Sequence, residues 1–429
     1  MTPGARVAAA IEVIGDIDAR RRPAADALKD WGLSHRFAGS KDRAGVAALV
    51  YDALRRRASA AYVMDDSPRG LLLGALKLAR GLSLEEAGAL FSGEGHAPAP
   101  LTDAERERYA ENALAEAPAP VAGDFPHWLE PSLRAAFGER LVEETAALAE
   151  RAPLDLRVNT LKASREKALS SLRSLDPAPT PHSPLGLRLP FAPDGRAVSL
   201  SAEPDYLKGR VEIQDEGSQL AALLCAARAG EQVLDLCAGG GGKALALAAQ
   251  MDSRGQIYAF DEDARRLAPI HARIERAGAR NVQVRTPRRG ADVLADLEGR
   301  CDLALIDAPC SGTGAWRRNP DAKWRMRPSA LEQRMLAQDA LLADAPRFLK
   351  EGGRLVYVTC SLLREENEDR VASFLSASPG FSPVGAQEAA ERAGLPDLAR
   401  FASTLGPGFR FSPAASGTDG FYVAILSRG

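Results

Sequence analysis

The sequence has few of the features that mark several protein classes. Its five cysteines (Cys225, Cys237, Cys301, Cys310 and Cys360) are odd in number and widely spaced, with no CxxC pair. That pattern argues against a disulfide framework and against a zinc site. The five histidines are scattered and form no ligand pair, so no metal is expected. No stretch reaches the roughly 18 apolar residues of a membrane span. The apolar run Val7–Ile14 is short and broken by Glu12, which does not fit a signal peptide. These absences point to a soluble cytoplasmic protein with reduced thiols and no membrane partner; a monomer is expected. Overall charge is nearly balanced, at -2, but unevenly placed: residues 264–334 carry 15 Lys and Arg against 8 Asp and Glu. An anionic partner is expected there.

With 45% apolar and 26% charged residues in 429, the chain can bury a core and divide into two or three domains. Residues 1–125 read as helices. Apolar positions recur at helical spacing in Ala44–Leu54 and Leu71–Leu82, and Ser83 with Glu86 forms a capping-box pattern. Basic clusters at Arg20–Arg22 and Arg55–Arg57 suit nucleic acid or a solvated helix face. Pro- and Ala-rich segments at Ser92–Pro100 and Ala115–Pro126 flank a short helix, Asp103–Leu114, and place a boundary near residue 125. Residues 126–213 read as a small α+β unit. Helix Glu130–Arg151 leads into a strand-like Leu154–Lys162, then helix Arg165–Leu175, and short strands near Gly186–Pro190 and Val198–Ser201. Arg157, Asn159 and Lys162 on an exposed strand would present polar and basic groups to a phosphate backbone.

From residue 214 to 429 strands and helices alternate, which predicts an α/β domain with a doubly wound parallel sheet. Strands are expected at Gln232–Leu236, Gln256–Phe260, Val282–Arg285, Cys301–Ile306, Gly353–Val358 and Asp419–Leu426. Helices are expected at Gln214–Arg228, from Lys243, and over Glu262–Ala277, Ser329–Leu349 and Glu365–Ser376.

Three constellations carry chemistry. The first is Val233–Lys243, VLDLCAGGGGK, a glycine loop directly after a buried strand. It is not a P-loop, because Cys237 stands six residues before Lys243 and Ala244 follows it. Gly239, Gly241 and Ala244 satisfy a dinucleotide spacing, with Asp261 about twenty residues on to bond a ribose. S-adenosylmethionine, which has a ribose and no pyrophosphate, suits the same loop. Cys237, Ala238, Gly239, Gly240, Gly241, Gly242, Lys243 and Asp261 are therefore the candidate cofactor residues.

The second is the pair Cys310 and Cys360, in LIDAPCSGTG and VTCS. Each lies just past the end of a strand, and the two strands are expected to be neighbours, so both thiols belong on the ligand-binding edge. Taken alone, Cys310 is a candidate nucleophile or a buried small hydrophobe. The pair suits a methyltransferase acting on a pyrimidine. A thiolate adding to carbon 6 makes carbon 5 nucleophilic, and a second group then helps remove the carbon-5 proton. Lys243, or the arginines that follow Cys310, would favour the thiolate. Asp307 would accept from the cytosine edge and border the cofactor. The third is Trp316–Trp324, WRRNPDAKW, where Arg317, Arg318, Asn319 and Lys323 suit phosphates and the tryptophans suit stacking or packing.

The glycine loop, DAPCSGTG, RRNPD, TCS followed by EENE, terminal DGFYVA, RVNTLK at Arg157–Lys162 and QDEGSQL at Gln214–Leu220 together resemble the Sun/RsmB-like RNA cytosine-5 methyltransferases. The resemblance spans about residues 126–429. It implies a class I, Rossmann-like methyltransferase domain at 214–429, an RNA-recognition subdomain at 126–213, S-adenosylmethionine as cofactor and RNA, most simply 16S ribosomal RNA, as partner. It also implies Cys360 as attacking thiolate and Cys310 as the residue that assists release. Residues 1–125 look like the NusB-type RNA-binding domain of bacterial members. The chain has CAGGGGKA where the family often has CAAPGGKT. It has Thr286-Pro287-Arg288 where an acidic adenine contact is usual, so that contact is unassigned. Transfer RNA as substrate, a nicotinamide-dependent oxidoreductase and a non-catalytic RNA-binding factor are the competing readings.

Overall fold

The computed structural model describes residues 1–111, 113–191 and 198–429. The chain packs as two units, each described separately below. In chain order the strands are β1 (Leu154–Val158), β2 (Ala178–Pro179), β3 (Gly186–Leu189), β4 (Val211–Ile213), β5 (Gln232–Asp235), β6 (Gln256–Phe260), β7 (Val282–Arg285), β8 (Cys301–Asp307), β9 (Leu349–Thr359), β10 (Phe381–Pro383), β11 (Phe409–Phe411) and β12 (Phe421–Arg428). No helix among the described residues is long and apolar enough to cross a membrane.

The helical unit comprises Met1–Arg151 together with Trp316–Met326. Its helices start where the sequence supplies caps: Thr2, Ser67, Ser83 and Thr102 each accept a backbone N–H from the first turn, the last two as full capping boxes. Ile14, Val46, Val50 and Leu71–Leu73 are fully buried at its centre. Helices Glu130–Phe137 and Leu141–Leu148, beyond the boundary expected near residue 125, pack with this unit. The single helix expected over Glu130–Arg151 is divided at Gly138, whose φ is +55°. Helix Asp103–Ala110 is shorter than expected, and Asn112 lies outside the described residues. The basic clusters are held by carboxylates: Arg22 by Asp16 and Asp30, Arg57 by Asp18 and Asp66, and Arg56 by Glu150.

The second unit contains two sheets. The small one has order β2-β3-β1-β4, all antiparallel. The expected strand at Val198–Ser201 is absent; those residues have no regular structure or form a turn. The large sheet runs β10-β12-β9-β8-β5-β6-β7, with β11 also pairing β12. From β7 to β9 the strands are parallel, and β12 is antiparallel to β9. Both faces are covered, as a parallel sheet requires. Val233, Leu305 and Val356 join the core on one face, and Leu234, Ile306 and Tyr357 that on the other. The chain leaves β5 toward β6 and β7, then returns to place β8 on the other side of β5. That reversal opens a crevice beyond the carboxyl ends of β5 and β8. The helix expected over Glu262–Ala277 is two, Ala264–Leu267 and Ile270–Ala277, broken at Pro269.

The exposed basic strand expected at β1 is a buried one. Arg157 and Asn159 are each 2% exposed. Arg157 Nε donates to Gln214 Oε1 at 2.6 Å, and Asn159 Nδ2 donates to the carbonyls of Gly209 and Ala277, each at 2.8 Å. Burial pushes the Arg157 guanidinium down to about 10, opposed by Glu212. Lys162 is exposed, but its ammonium is tied to the carbonyls of Lys208 and Arg276. Arg157 and Asn159 are therefore withdrawn as phosphate contacts. Their work is to fasten the small sheet to the large one. Glu212 in β4 does the same, bonding Arg276 in a fork at 2.8 Å and Arg273 at 3.1 Å. Glu212→Gln should leave that buried cluster short of an anion and lower unfolding stability by about 2 kcal/mol. Urea denaturation checks this, and a loss under about 0.5 kcal/mol would show the cluster is not a fastening.

Candidate active site

The crevice is built from four strand ends. After β5, the loop Cys237–Gly241 turns directly into helix Gly242–Gln250. Gly241 is required there: its φ is +81°, and a Cβ would stand 2.5 Å from Ile270 Cγ1. Asp261, just past β6, braces the loop by accepting the Gly239 N–H at 3.0 Å. Its other oxygen accepts the Asp263 N–H at 3.0 Å. The oxygen that takes the Gly239 N–H also stands 3.6 Å from the Arg266 guanidinium. Arg273 donates to the Gly240 carbonyl at 2.8 Å and also reaches Glu212, so the loop is anchored to the small sheet as well. Sequence reading passed over Arg273 as one basic residue among many.

Asp307, at the end of β8, pairs with Lys243 at 2.6 Å, and a third of its side chain stays accessible. Burial works to lower the Lys243 pKa, but Asp307, with Cys360 and Asp235, outweighs it, so the ammonium is held charged. Lys243 is thus a fixed cation that orients Asp307; its proton is not free for general acid–base work. Cys237 is half-buried, and burial with three nearby aspartates pushes its thiol well above the ordinary range. It is an unreactive wall of the loop. Cys225 and Cys301 are buried in the cores.

Asp235, the last residue of β5, was missed. It is 1% exposed, and neither carboxylate oxygen has a hydrogen-bond partner among the described residues. The Cys237 N–H lies near enough to favour its charge, but burial beside Asp307 raises the carboxyl to about 7. The only available signal was a carboxylate inside an otherwise apolar strand.

Cys310 and Cys360 stand beyond adjacent strands, with β8 and β9 paired in register from Leu303↔Arg354 to Asp307↔Val358. Their sulfurs are 3.4 Å apart and both thiols are half-buried. The hydrogen bond to Cys360, then burial, pushes the Cys310 thiol well above its ordinary range. Cys310 therefore keeps its proton while Cys360 is the sulfur beside the Lys243 ammonium, whose charge it favours. The Cys310 loop is stitched to its neighbours: the Gly314 N–H donates to the Cys360 carbonyl at 2.9 Å, and the Gly420 N–H to the Gly314 carbonyl at 2.8 Å. A Cβ at Gly314 would meet the Gly420 carbonyl at 2.2 Å, so DGFYVA can approach only a glycine here.

The segment WRRNPDAKW belongs to the helical unit. Lys323 is 2% exposed, and its ammonium donates to the Arg55 and Asp124 carbonyls at 2.9 and 2.6 Å. Burial pushes it down to about 7. Trp324 donates to the Leu54 carbonyl and packs against the helical core. Arg317 is 5% exposed. Lys323 and Arg317 are thus not surface phosphate contacts. Arg318 is half-buried and Asn319 exposed.

The crevice fits a nucleoside cofactor with a cationic end. A glycine cradle faces three carboxylates, Asp235, Asp261 and Asp307; Lys243 pairs with Asp307, and Arg266 stands 3.6 Å from Asp261. The Asp235 oxygens, without a hydrogen-bond partner among the described residues, call for donors. A sheet of this order with a glycine loop and an acidic crevice defines the Rossmann-like methyltransferase class. A model of the 16S rRNA methyltransferase RsmB/F family matches residues 222–427, and one of the RsmF/B-like ferredoxin-like domain matches residues 125–194. The ribosomal RNA small subunit methyltransferase B of Sodalis glossinidius is 33% identical over 344 residues, covering 79% of this chain and 71% of that protein. A probable counterpart from Synechocystis is 34% identical over 257 residues, covering 58% and 56%. The chain belongs to the ribosomal RNA small subunit methyltransferase B family. Among solved structures, a methyltransferase homolog from Pyrococcus horikoshii superposes with a TM-score of 0.58 at 25% identity, spanning 72% of this chain and 98% of that one. PH0851 shares the fold, with a TM-score of 0.74 at 23% identity over 100% and 99% of the two chains.

Asp235 gives the protein a pH signature. Its folded-state pKa, about 7, lies above the roughly 3.9 of an unfolded carboxyl. Between those values the folded chain binds more protons, so Asp235 weakens folding progressively as pH rises through the window. Asp235→Asn should melt about 2 °C or more above the parent near pH 8, and the gap should close near pH 4.5. A gap that is equal at both pH values, by differential scanning fluorimetry, would place Asp235 outside this account.

Proposed function

We propose that this chain transfers a methyl group from S-adenosylmethionine to carbon 5 of a cytosine in 16S ribosomal RNA, with Cys360 as the attacking thiolate. The observation that carries the reading is the 3.4 Å contact between two strand-end sulfurs beside a glycine-loop crevice. Gly239–Gly242, Asp235 and Asp261 would hold the cofactor, which supplies an electrophilic methyl group. Two facing thiols have no use in hydride transfer.

Cys310 faces Cys360 across 3.4 Å and keeps its own proton there. Cys360 Sγ bonds to cytosine carbon 6, and electron density moves to carbon 5, which takes the methyl. Asp307, oriented by Lys243, accepts from the cytosine edge. Forming the C–S bond removes the neighbouring sulfur charge that kept Cys310 protonated. Cys310 then ionises more readily and can assist removal of the carbon-5 proton. The electrons of that C–H bond re-form the ring double bond and expel the Cys360 thiolate. RNA recognition belongs to the small antiparallel sheet and the helical unit, with Lys162, Arg318 and Asn319 the remaining candidate contacts. The names of the relatives support ribosomal over transfer RNA.

Cys360→Ser should lower 5-methylcytosine formation on the order of a thousandfold or more, read by labelled methyl transfer. Cys310→Ser should instead accumulate protein covalently joined to RNA on denaturing gels. Retained turnover in Cys360→Ser would contradict the assignment.

A further inference from the structure

Near the two cysteines lies a buried carboxylate that the mechanism above does not use. Glu366 is 0% exposed and sits in the short helical turn after Cys360. Its carboxylate accepts the Ser311 N–H at 2.8 Å and the Ser311 hydroxyl. Ser311 Oγ in turn lies 3.2 Å from Ser361 Oγ, and Ser361 Oγ lies 3.2 Å from Thr313 Oγ1. The backbone N–H groups of Leu362 and Leu363 donate to Thr313 Oγ1 and Ser361 Oγ at 2.8 and 3.1 Å. One proton arrangement satisfies every hydroxyl: Thr313 donates to Ser361, Ser361 to Ser311, and Ser311 to Glu366. Gln338, also fully buried, donates to both Glu366 Oε1 and the Pro309 carbonyl, at 3.1 and 3.0 Å. The Tyr357 hydroxyl donates to the Glu366 carbonyl at 2.7 Å, which fixes the turn to β9.

Ser311 directly follows Cys310, and Ser361 directly follows Cys360. We infer that Glu366 is a positioning residue that sets the spacing of the two sulfurs, by gathering the residues after each cysteine into one buried hydrogen-bonded chain. Its value for catalysis rests on the methyltransferase reading above. The sulfur spacing itself does not.

The spacing is testable without RNA or cofactor. Full-length protein is treated with diamide, a diazene oxidant. Cys310 and Cys360 each give up one hydrogen, the diazene becomes a hydrazine, and an S–S bond forms. Peptide mass mapping follows the linkage, and parallel iodoacetamide alkylation of each thiol corrects for changed reactivity. The parent protein should link these cysteines. Glu366→Gln and Glu366→Ala should link them about tenfold more slowly. Equal corrected rates in a folded variant, or no linkage in the parent, would overturn the inference. Should the Glu366 variants melt below the assay temperature, Ser361→Ala breaks the hydroxyl chain while keeping the carboxylate, and carries the same expectation. In methyl transfer, Glu366→Gln should lower kcat about tenfold with KM for RNA unchanged; a purely structural role would leave the corrected linkage rate unaltered. A parent protein that links its cysteines yet methylates no cytosine would sink the functional reading and leave the Glu366 result standing.

Discussion

The site depends on one register, the parallel pairing of β8 with β9. A strand rises about 3.3 Å per residue, and a one-residue slip turns every side chain to the other face. The observed pairing, Asp307 opposite Val358, brings two cysteines fifty positions apart to 3.4 Å. Leu303, Leu305, Val356 and Val358 on one face, and Ala304, Ile306, Leu355 and Tyr357 on the other, enforce that register by burial. The contact between the two sulfurs is thus specified by the core, with the loops adding the final adjustment.

Around that contact the electrostatics is divided. Three carboxylates gather where a cationic cofactor end would lie, with Lys243 paired to Asp307 and Arg266 near Asp261. Low polarity strengthens each of these terms. Asp235 has no hydrogen-bond partner for either carboxylate oxygen among the described residues. Such an unsatisfied buried group weakens the fold while readying the crevice for a donor. Glu366 is the opposite case, a buried carboxylate surrounded by donors.

Much of this was readable in the sequence. The apolar runs of β5 to β9, the glycine loop and the strand-end positions of Cys310 and Cys360 follow from local pattern, and the neighbouring strands of the two cysteines follow from the expected sheet. Glu366 and Gln338 did not show, because their meaning comes from Ser311 and Pro309, far away in the chain. Arg157, Asn159, Arg317 and Lys323 look like phosphate contacts in any sequence. Burial against segments remote in sequence gives Arg157, Asn159 and Lys323 backbone carbonyls or a side-chain amide as partners, and leaves Arg317 5% exposed. Lys323 and Trp324 show this most clearly: a segment flanked by methyltransferase motifs packs with Leu54 and Arg55 of the helical unit.

The central claim is that Cys360, and not the Cys310 of the Pro-Cys step, bonds the base. The direct measurement uses an RNA substrate carrying 5-fluorocytosine, whose carbon 5 has no proton to lose after methyl transfer, so the covalent adduct cannot be released. Digestion and peptide mass spectrometry then locate the nucleoside. The account predicts it on the peptide containing Cys360, with Cys310 free. A nucleoside attached to Cys310, or no adduct despite methyl transfer to ordinary RNA, would contradict it.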